Sequence, residues 1–587
     1  MSRRSFRPVL WVGSVAILVG VGWGTRQFLF DERTDVPASG SATALPIMSE
    51  LLDEAERAYL WEVEHHGQLL SQRGFPHFTE ALRRADADAL LRLLATDFRG
   101  GFPRQPAVVE TQGDVTGRRI EDAGHPPEEL TAEAFVARLL EYRRAFTDEP
   151  RVQLSLVRLT PLSRQAFDGE WRCSVVLRFW GTWGTDAPAE TTVWMELSHP
   201  RPDNITFARP GWIRSAKITQ VLETSAPRWL LREVATERGI QVSRLHDNWS
   251  NKGKQPSTGG AYLTDYDRDG YVDLLITDLN GTQLYSGQPE GRFAPIVSPV
   301  NDVLITRDYP VAAFVDLDGD GWDDLILARR VFHNQPAPGG GRRFVNVTYR
   351  SNLNIPPKAS QAVVVDYDRD GRLDLYITFP GTPKVGSWVT GKSGDDRGNI
   401  LLRNRGDWQF EDVTEASGVR GGNRSCFTAV WFDANDDGWP DVHVINEFGN
   451  GVLLVNQGNG TFREHHLSTE PMDFGSMGAT CGDIDNDGHL DLYIANMYSK
   501  AGTRVLGNLR PDAYPPEVMA KMRRFVTGSQ LWRNRGGLQF EPKGEAWRVH
   551  AVGWAYGPAM VDLDNDGYLD IYATAGFISQ DRSEPDG

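Results

Sequence analysis

Acidic residues at a fixed spacing are the part of this 587-residue chain that could do chemistry. The pattern runs over nine positions, with side-chain oxygens at positions 1, 3, 5 and 9 and glycine at position 6. It occurs as Asp265, Asp267, Asp269, Gly270 and Asp273, then as Asp316, Asp318, Asp320, Gly321 and Asp324, then as Asp366, Asp368, Asp370, Gly371 and Asp374. It returns as Asp433, Asn435, Asp437, Gly438 and Asp441, as Asp483, Asp485, Asp487, Gly488 and Asp491, and as Asp562, Asp564, Asp566, Gly567 and Asp570. Calcium is a hard cation that takes six to eight oxygens. Each loop offers four side-chain ligands, with a fifth from the backbone carbonyl at position 7, held by Tyr271, Trp322, Arg372, Trp439, His489 and Tyr568. Glycine at position 6 can take the positive φ that folds a chain round an ion. One such stretch could be a solvated turn, but six in one register predict about six structural Ca2+ ions.

The residues around the loops say what must position them. An EF-hand needs flanking helices and a bidentate Glu at position 12, yet that position holds Ile276, Leu327, Ile377, Val444, Ile494 and Ala573. Each loop instead lies between short apolar runs rich in β-branched and aromatic residues, such as 363–365 before one loop and 374–377 after it, which predict strands. A further element follows each of the first five loops, at 283–285, 330–334, 401–404, 453–456 and 531–534, and usually leads to a Gly-rich turn and a Phe. The first aspartates stand 51, 50, 67, 50 and 79 residues apart. A period near 50 predicts four-stranded propeller blades, six or seven of them, with insertions at 381–398 and 498–530 in the two long intervals.

The six loops, the recurrent Leu-x-Arg-Asn element (Leu401 to Asn404, Leu531 to Asn534) and the segment from Phe410 to Val419 together resemble the FG-GAP, integrin α-type, β-propeller repeats. The region is similar to cartilage acidic protein and the ASPIC/UnbV group, and a fainter echo of Phe410–Val419 opens it at 233–240. The resemblance implies a calcium-binding propeller over 231–587. It leaves function open, because propellers host adhesion, scaffolding and catalysis alike.

The net charge of −17 follows from the loops, which hold 23 aspartates; without them the chain would be positively charged. No basic run points to nucleic acid. At the N-terminus Arg3, Arg4 and Arg7 precede an uncharged run over 8–25. This predicts an anchor or transmembrane segment over 1–30, with the rest of the chain in the periplasm or outside the cell; a cleaved signal is the alternative. A polar linker over 31–46 leads to a smaller α+β domain over 47–230. Helices are predicted over 47–72, over 79–98 with Thr79 as N-cap, and over 131–146. Strands follow near 152–156, 171–179, 193–197 and 213–222. The order loosely resembles the SnoaL-like, nuclear transport factor 2-like cone. Trp171, Trp180, Trp183, Trp194 and Trp212 with Glu196 could line a pocket there, although large aromatics on a sheet more often fill the core.

Three further signals weigh little. Gly386, Gly391, Lys392 and Ser393 match a phosphate-loop pattern, but the residues after them make a poor helix start, and the stretch reads as a surface loop without nucleotide. Cys173, Cys426 and Cys481 show no zinc spacing; a Cys426–Cys481 disulfide is conceivable. The pairs His65–His66 and His465–His466 read as solvated. No catalytic residue is nominated. The fold class predicted is multidomain and mainly β, and the function predicted is a membrane-anchored, extracytoplasmic calcium-binding propeller that acts as a protein- or glycan-binding, adhesion or scaffold module. The alternative is an enzyme using the α+β pocket or a propeller calcium.

Overall fold

The computed structural model describes residues 52–575 except 105, 122–125, 165, 185–186, 208, 247–258, 279, 297–311, 357–358, 381–397, 422–424, 449 and 469–474. Among the described residues no helix is long and apolar enough to cross a membrane. The segments expected as anchor and linker, 1–30 and 31–46, lie outside them, as does the phosphate-loop pattern at 386–393. The chain divides into two units: Met48–Glu233 with Lys500–Tyr514, and Val234–Ser499 with Pro515–Gly587.

The first unit opens with helices α1 (Glu54–Leu69), α2 (Phe75–Arg83) and α3 (Ala87–Leu93). Asp53 caps α1 by accepting the Glu56 N–H at 2.7 Å, and Asp86 caps α3 through the Ala89 N–H at 2.8 Å. Both satisfy donors that have no partner inside the helix. Thr79, expected to start a helix, lies inside α2, where its hydroxyl donates back to the Phe75 carbonyl at 3.2 Å. The helix expected to reach 98 ends at Leu93, and Leu94–Phe102 is strand β1. Strands β2 (Val108–Gln112), β3 (Val115–Glu121) and β4 (Glu128–Leu130) precede α4 (Ala132–Arg144), which Thr131 caps by accepting the Ala134 N–H at 3.3 Å. Four long strands complete the unit: β5 (Arg151–Ser163), β6 (Ala166–Trp183), β7 (Ala187–Pro200) and β8 (Ile213–Ser225). They order as β2-β3-β8-β7-β6-β5, with β1 alongside β8 and β4 on β1.

Period-two burial on β6 puts Trp171, Cys173, Val175, Leu177 and Phe179 in the core. Trp212 is buried as well. Trp180, Trp194 and the exposed Glu196 lie on the opposite face, since Trp194 and Glu196 pair with Val176 and Ser174. Trp171 on one face and Trp180 and Trp194 on the other therefore do not line one pocket. His66, expected in solvent, is buried: its Nδ1 lies 2.7 Å from the Pro202 carbonyl oxygen, and its ring meets Trp171 edge-on. The segment 500–514 joins this unit through helix α5 (Lys500–Asn508). Arg504 pairs with Glu64 at 2.6 Å, and Arg510 reaches Glu56 and Asp53 at 3.1 and 2.6 Å.

In the second unit the chain repeats one design. Gly260–Thr264, Asp273–Thr277, Gln283–Gln288 and Arg292–Pro295 form a four-stranded antiparallel sheet in sequence order, and similar sheets cover 312–346, 361–412, 425–465 and 476–542. These are five propeller-type blades. The sixth sheet has only two strands, Ala555–Val561 and Asp570–Ala575. The expectation of six or seven blades is corrected to five: the sixth loop has its inner hairpin, and no outer pair joins it among the described residues. Apolar side chains fill the seams between successive blades. Tyr266 and Leu275 of the first meet Leu325 and Phe344 of the second, and Val365 and Tyr376 of the third meet Val442 and Leu454 of the fourth. The three cysteines are free, which corrects the conceivable Cys426–Cys481 bond. Helix α6 (Pro516–Thr527) lies in the fifth blade's insertion.

Candidate metal centre

All six aspartate loops occupy the same place, the connection from first to second strand. Position 9 is the first residue of the second strand each time, with Asp273 opposite Thr264, Asp374 opposite Val365 and Asp570 opposite Val561. Strand pairing therefore fixes both ends of the loop, and the residues between must turn back on themselves. They do so at position 4, where Arg268, Arg369, Asp436, Asn486 and Asn565 hold φ between 55° and 63°, and at the glycines of position 6, with φ from 84° to 91°.

The aspartates first serve the loop itself. Position 1 accepts the glycine N–H of position 6: Asp265 from Gly270 at 3.0 Å, Asp316 from Gly321 at 2.8 Å, Asp366 from Gly371 at 3.0 Å. Asp433, Asp483 and Asp562 do the same at 2.7, 2.9 and 3.0 Å. Position 5 accepts the N–H of position 7, as Asp269 does from Tyr271, Asp320 from Trp322, Asp370 from Arg372, Asp437 from Trp439, Asp487 from His489 and Asp566 from Tyr568, at 2.8–3.1 Å. Position 9 is fully buried in the first five loops. One of its oxygens takes the N–H of position 2 and the other an N–H of the third strand, as Asp441 does from Ala434 at 3.0 Å and Asn456 at 2.7 Å. Burial raises these carboxyls, Asp374 to about 7 and Asp273, Asp324, Asp441 and Asp491 to about 6. Asp570 departs from the pattern: it is exposed.

Position 3 is different. Oδ1 of Asp267, Asp368 and Asp485 is buried and has no hydrogen-bond partner. A buried carboxylate oxygen without a partner is costly. Burial raises Asp267 above the ordinary range, and the charge of Asp269 adds to this. One oxygen from each of Asp265, Asp267 and Asp269 lies within 4.8 Å of the others, as it does for Asp316, Asp318 and Asp320, for Asp366, Asp368 and Asp374, and for Asp483, Asp485 and Asp491. Three hard oxygens converging beside an unpartnered one fit a hard dication. In the loop with Asn435, the amide Nδ2 instead donates to Asp437 at 2.9 Å. Asp564 of the sixth loop accepts the Asp566 N–H at 3.2 Å.

The third strand brings a second set of groups that the sequence did not single out as functional. Asn334, Asn404, Asn456 and Asn534, the last residues of the Leu-x-Arg-Asn-type elements, each donate from Nδ2 to the position 8 carbonyl of their own loop. The same amide donates to the position 2 carbonyl of the preceding blade: Tyr266 at 2.8 Å, Leu317 at 3.1 Å, Tyr367 at 2.9 Å and Ala434 at 3.0 Å. Position 4 links neighbouring loops on the surface. Arg268 meets the Gly321 carbonyl and lies over Trp322, and Arg369 lies over Trp439 at 5.4 Å. Asp436 bonds His489 at 2.7 Å, and Asn486 bonds the Gly567 carbonyl at 2.9 Å. These contacts join the first loop to the second and the third to the sixth in series; in the second loop position 4 is Gly319, which has no side chain to reach the third.

With that geometry in view, a model of the FG-GAP-like repeat matches residues 265–327, 433–494 and 524–573, stretches that contain every loop but the third and the strands beside them. No curated protein matches the chain. Among solved structures, the chain is similar to a lectin of Agrocybe aegerita described as recognising non-reducing terminal N-acetylglucosamine. The two are 12% identical at a TM-score of 0.30, over 73% of this chain and 88% of that one. A likeness of that degree carries no weight for fold or ligand. The second unit of this protein carries FG-GAP-like repeats on propeller-type blades.

Proposed function

We propose that this protein is a calcium-stabilised binding or scaffold module of the FG-GAP propeller type, kin to the ASPIC/UnbV group. The observation that carries the reading is the buried, unpartnered Oδ1 of Asp267, Asp368 and Asp485, repeated at one position in three loops. Calcium there would meet oxygens already gathered and oriented by the loop's own N–H groups. The ion is structural in this reading: it relieves repulsion among buried carboxylates, so its binding free energy becomes stability of the blades. The blades so stabilised then present a surface for a protein or glycan ligand. The arginines at 3, 4 and 7 before an uncharged run support anchoring at a membrane, with both units on the extracytoplasmic side. The order of helices and curved sheet in the first unit supports a SnoaL-like cone.

Calcium stoichiometry on the full chain, paired with thermal melts in calcium and in chelator, tests the reading. Several bound ions and a melting temperature that falls in chelator are expected. A chain that retains no calcium and melts identically in both conditions would sink it.

A further inference from the structure

The six loops share their aspartates but differ in what the third strand lays against them. The residue before the stapling asparagine, or before Gly287 in the first blade, is Ser286, His333, Arg403, Val455 and Arg533 in blades one to five. In the third blade Arg403 Nη2 lies 2.5 Å from Asp368 Oδ2 and 3.0 Å from Asp370 Oδ2. In the fifth, Arg533 Nη2 contacts Asp485 Oδ2 and lies 3.1 Å from Asp487 Oδ2. The guanidinium thus bridges positions 3 and 5 in both blades, taking one oxygen of position 3 and leaving the other, Oδ1, without a partner. Both arginine side chains are largely buried, 23% and 19% exposed, and Nε of each has no hydrogen-bond partner. Their charge is directed at the loop. In the first blade Oδ1 of Asp267 is equally unpartnered, but Ser286 brings no charge. The fourth blade has the apolar Val455.

We infer that Arg403 and Arg533 are built-in counter-cations that sort the loops with an unpartnered position 3 oxygen into two classes: the third and fifth hold their shape without metal and bind calcium weakly, whereas the first, whose Ser286 brings no charge, depends on the ion and binds it tightly. The inference rests on the calcium reading above. Its physics is charge balance. A fixed positive charge next to the ion site repels a dication, and it already offsets the repulsion among carboxylates that the dication would otherwise relieve. Arginine suits the part, because it stays charged at every relevant pH.

The test is a calcium titration of the full chain by calorimetry, with bound metal counted by elemental analysis. Wild type is expected to show a tight and a weak class of sites. In the double variant Arg403→Gln/Arg533→Gln, two ions move from the weak to the tight class, with a gain of roughly tenfold or more in affinity. The reciprocal variant, Ser286→Arg, moves one ion the other way and keeps the test decisive if the glutamine variants fold poorly. Arg405→Gln is the control: Arg405 pairs with Glu411, away from the loop, and its titration matches wild type. A single class of sites in wild type, or two classes with both variants unchanged, overturns the sorting while leaving calcium binding intact. So does weaker binding in the glutamine variants, which would make the arginines positioning groups that hold the ligands for the ion. A wild-type chain that binds no calcium overturns the metal reading, and the sorting with it.

Discussion

At position 3 of the first loop a single oxygen distinguishes a metal ligand from a turn residue. Asp267 Oδ1 is buried and unpartnered, and the third strand lays the uncharged Ser286 where two other blades have an arginine. Asp267→Asn should therefore lower the melting temperature in calcium, where a ligand charge is lost, and leave it unchanged or raised in chelator, where a buried charge is relieved. Equal losses in both conditions would mean the side chain is needed for packing alone. Glu447 carries a second residue-scale expectation, away from the loops. Burial alone raises its carboxyl to about 7, so the folded state favours the protonated form. That contribution to stability is full below about pH 4.5 and fades as pH rises through 7. Glu447→Gln should remove that part of the pH dependence, measured as melting temperature between pH 4 and 8. A slope over that range matching wild type would show that Glu447 does not titrate as burial implies.

Elements show how much of this could be read from the chain. The loops were legible because ligands for one ion must sit at fixed spacing in one short stretch, and both their place between strands and the absence of an EF-hand followed from the flanking residues. Asn334, Asn404, Asn456 and Asn534 stood in plain view as part of a recurring motif, yet their role was not, because each bonds a carbonyl 68 to 100 residues earlier in the chain. A local pattern cannot show a partner that only tertiary packing supplies. The same limit explains Thr79, a good cap by type that the continuous packing of α1 and α2 places inside a helix, and His66, whose neighbour Trp171 comes from a distant strand. The staple makes its own prediction. Asn456→Ala leaves the Tyr367 and Pro440 carbonyls without their donor and should cost about 2 kcal/mol. Denaturant unfolding should show the loss equally in calcium and in chelator, unlike the loss at Asp267; a loss confined to calcium would assign the asparagine to the ion.

Across the second unit, loops three to six are not independent, because position 4 of one meets the turn of the next. Ordering one loop thereby helps order its neighbour. Calcium uptake should be steeper than for separate sites, and Asn486→Ala, which cuts the link to Gly567, should flatten it. A titration by calcium-sensitive dye competition reads the slope; identical slopes would show that the series transmits nothing. The asparagine staples have a direction as well as a strength. In every pair the donor belongs to the later blade and the acceptor carbonyl to the earlier one. A blade can thus complete its own loop while the next is still being synthesised, keeping one carbonyl ready for an amide that has not yet been made. The direction of the staples thus suits assembly from the N-terminal side, one blade docking on the last, in the order in which a ribosome would release them.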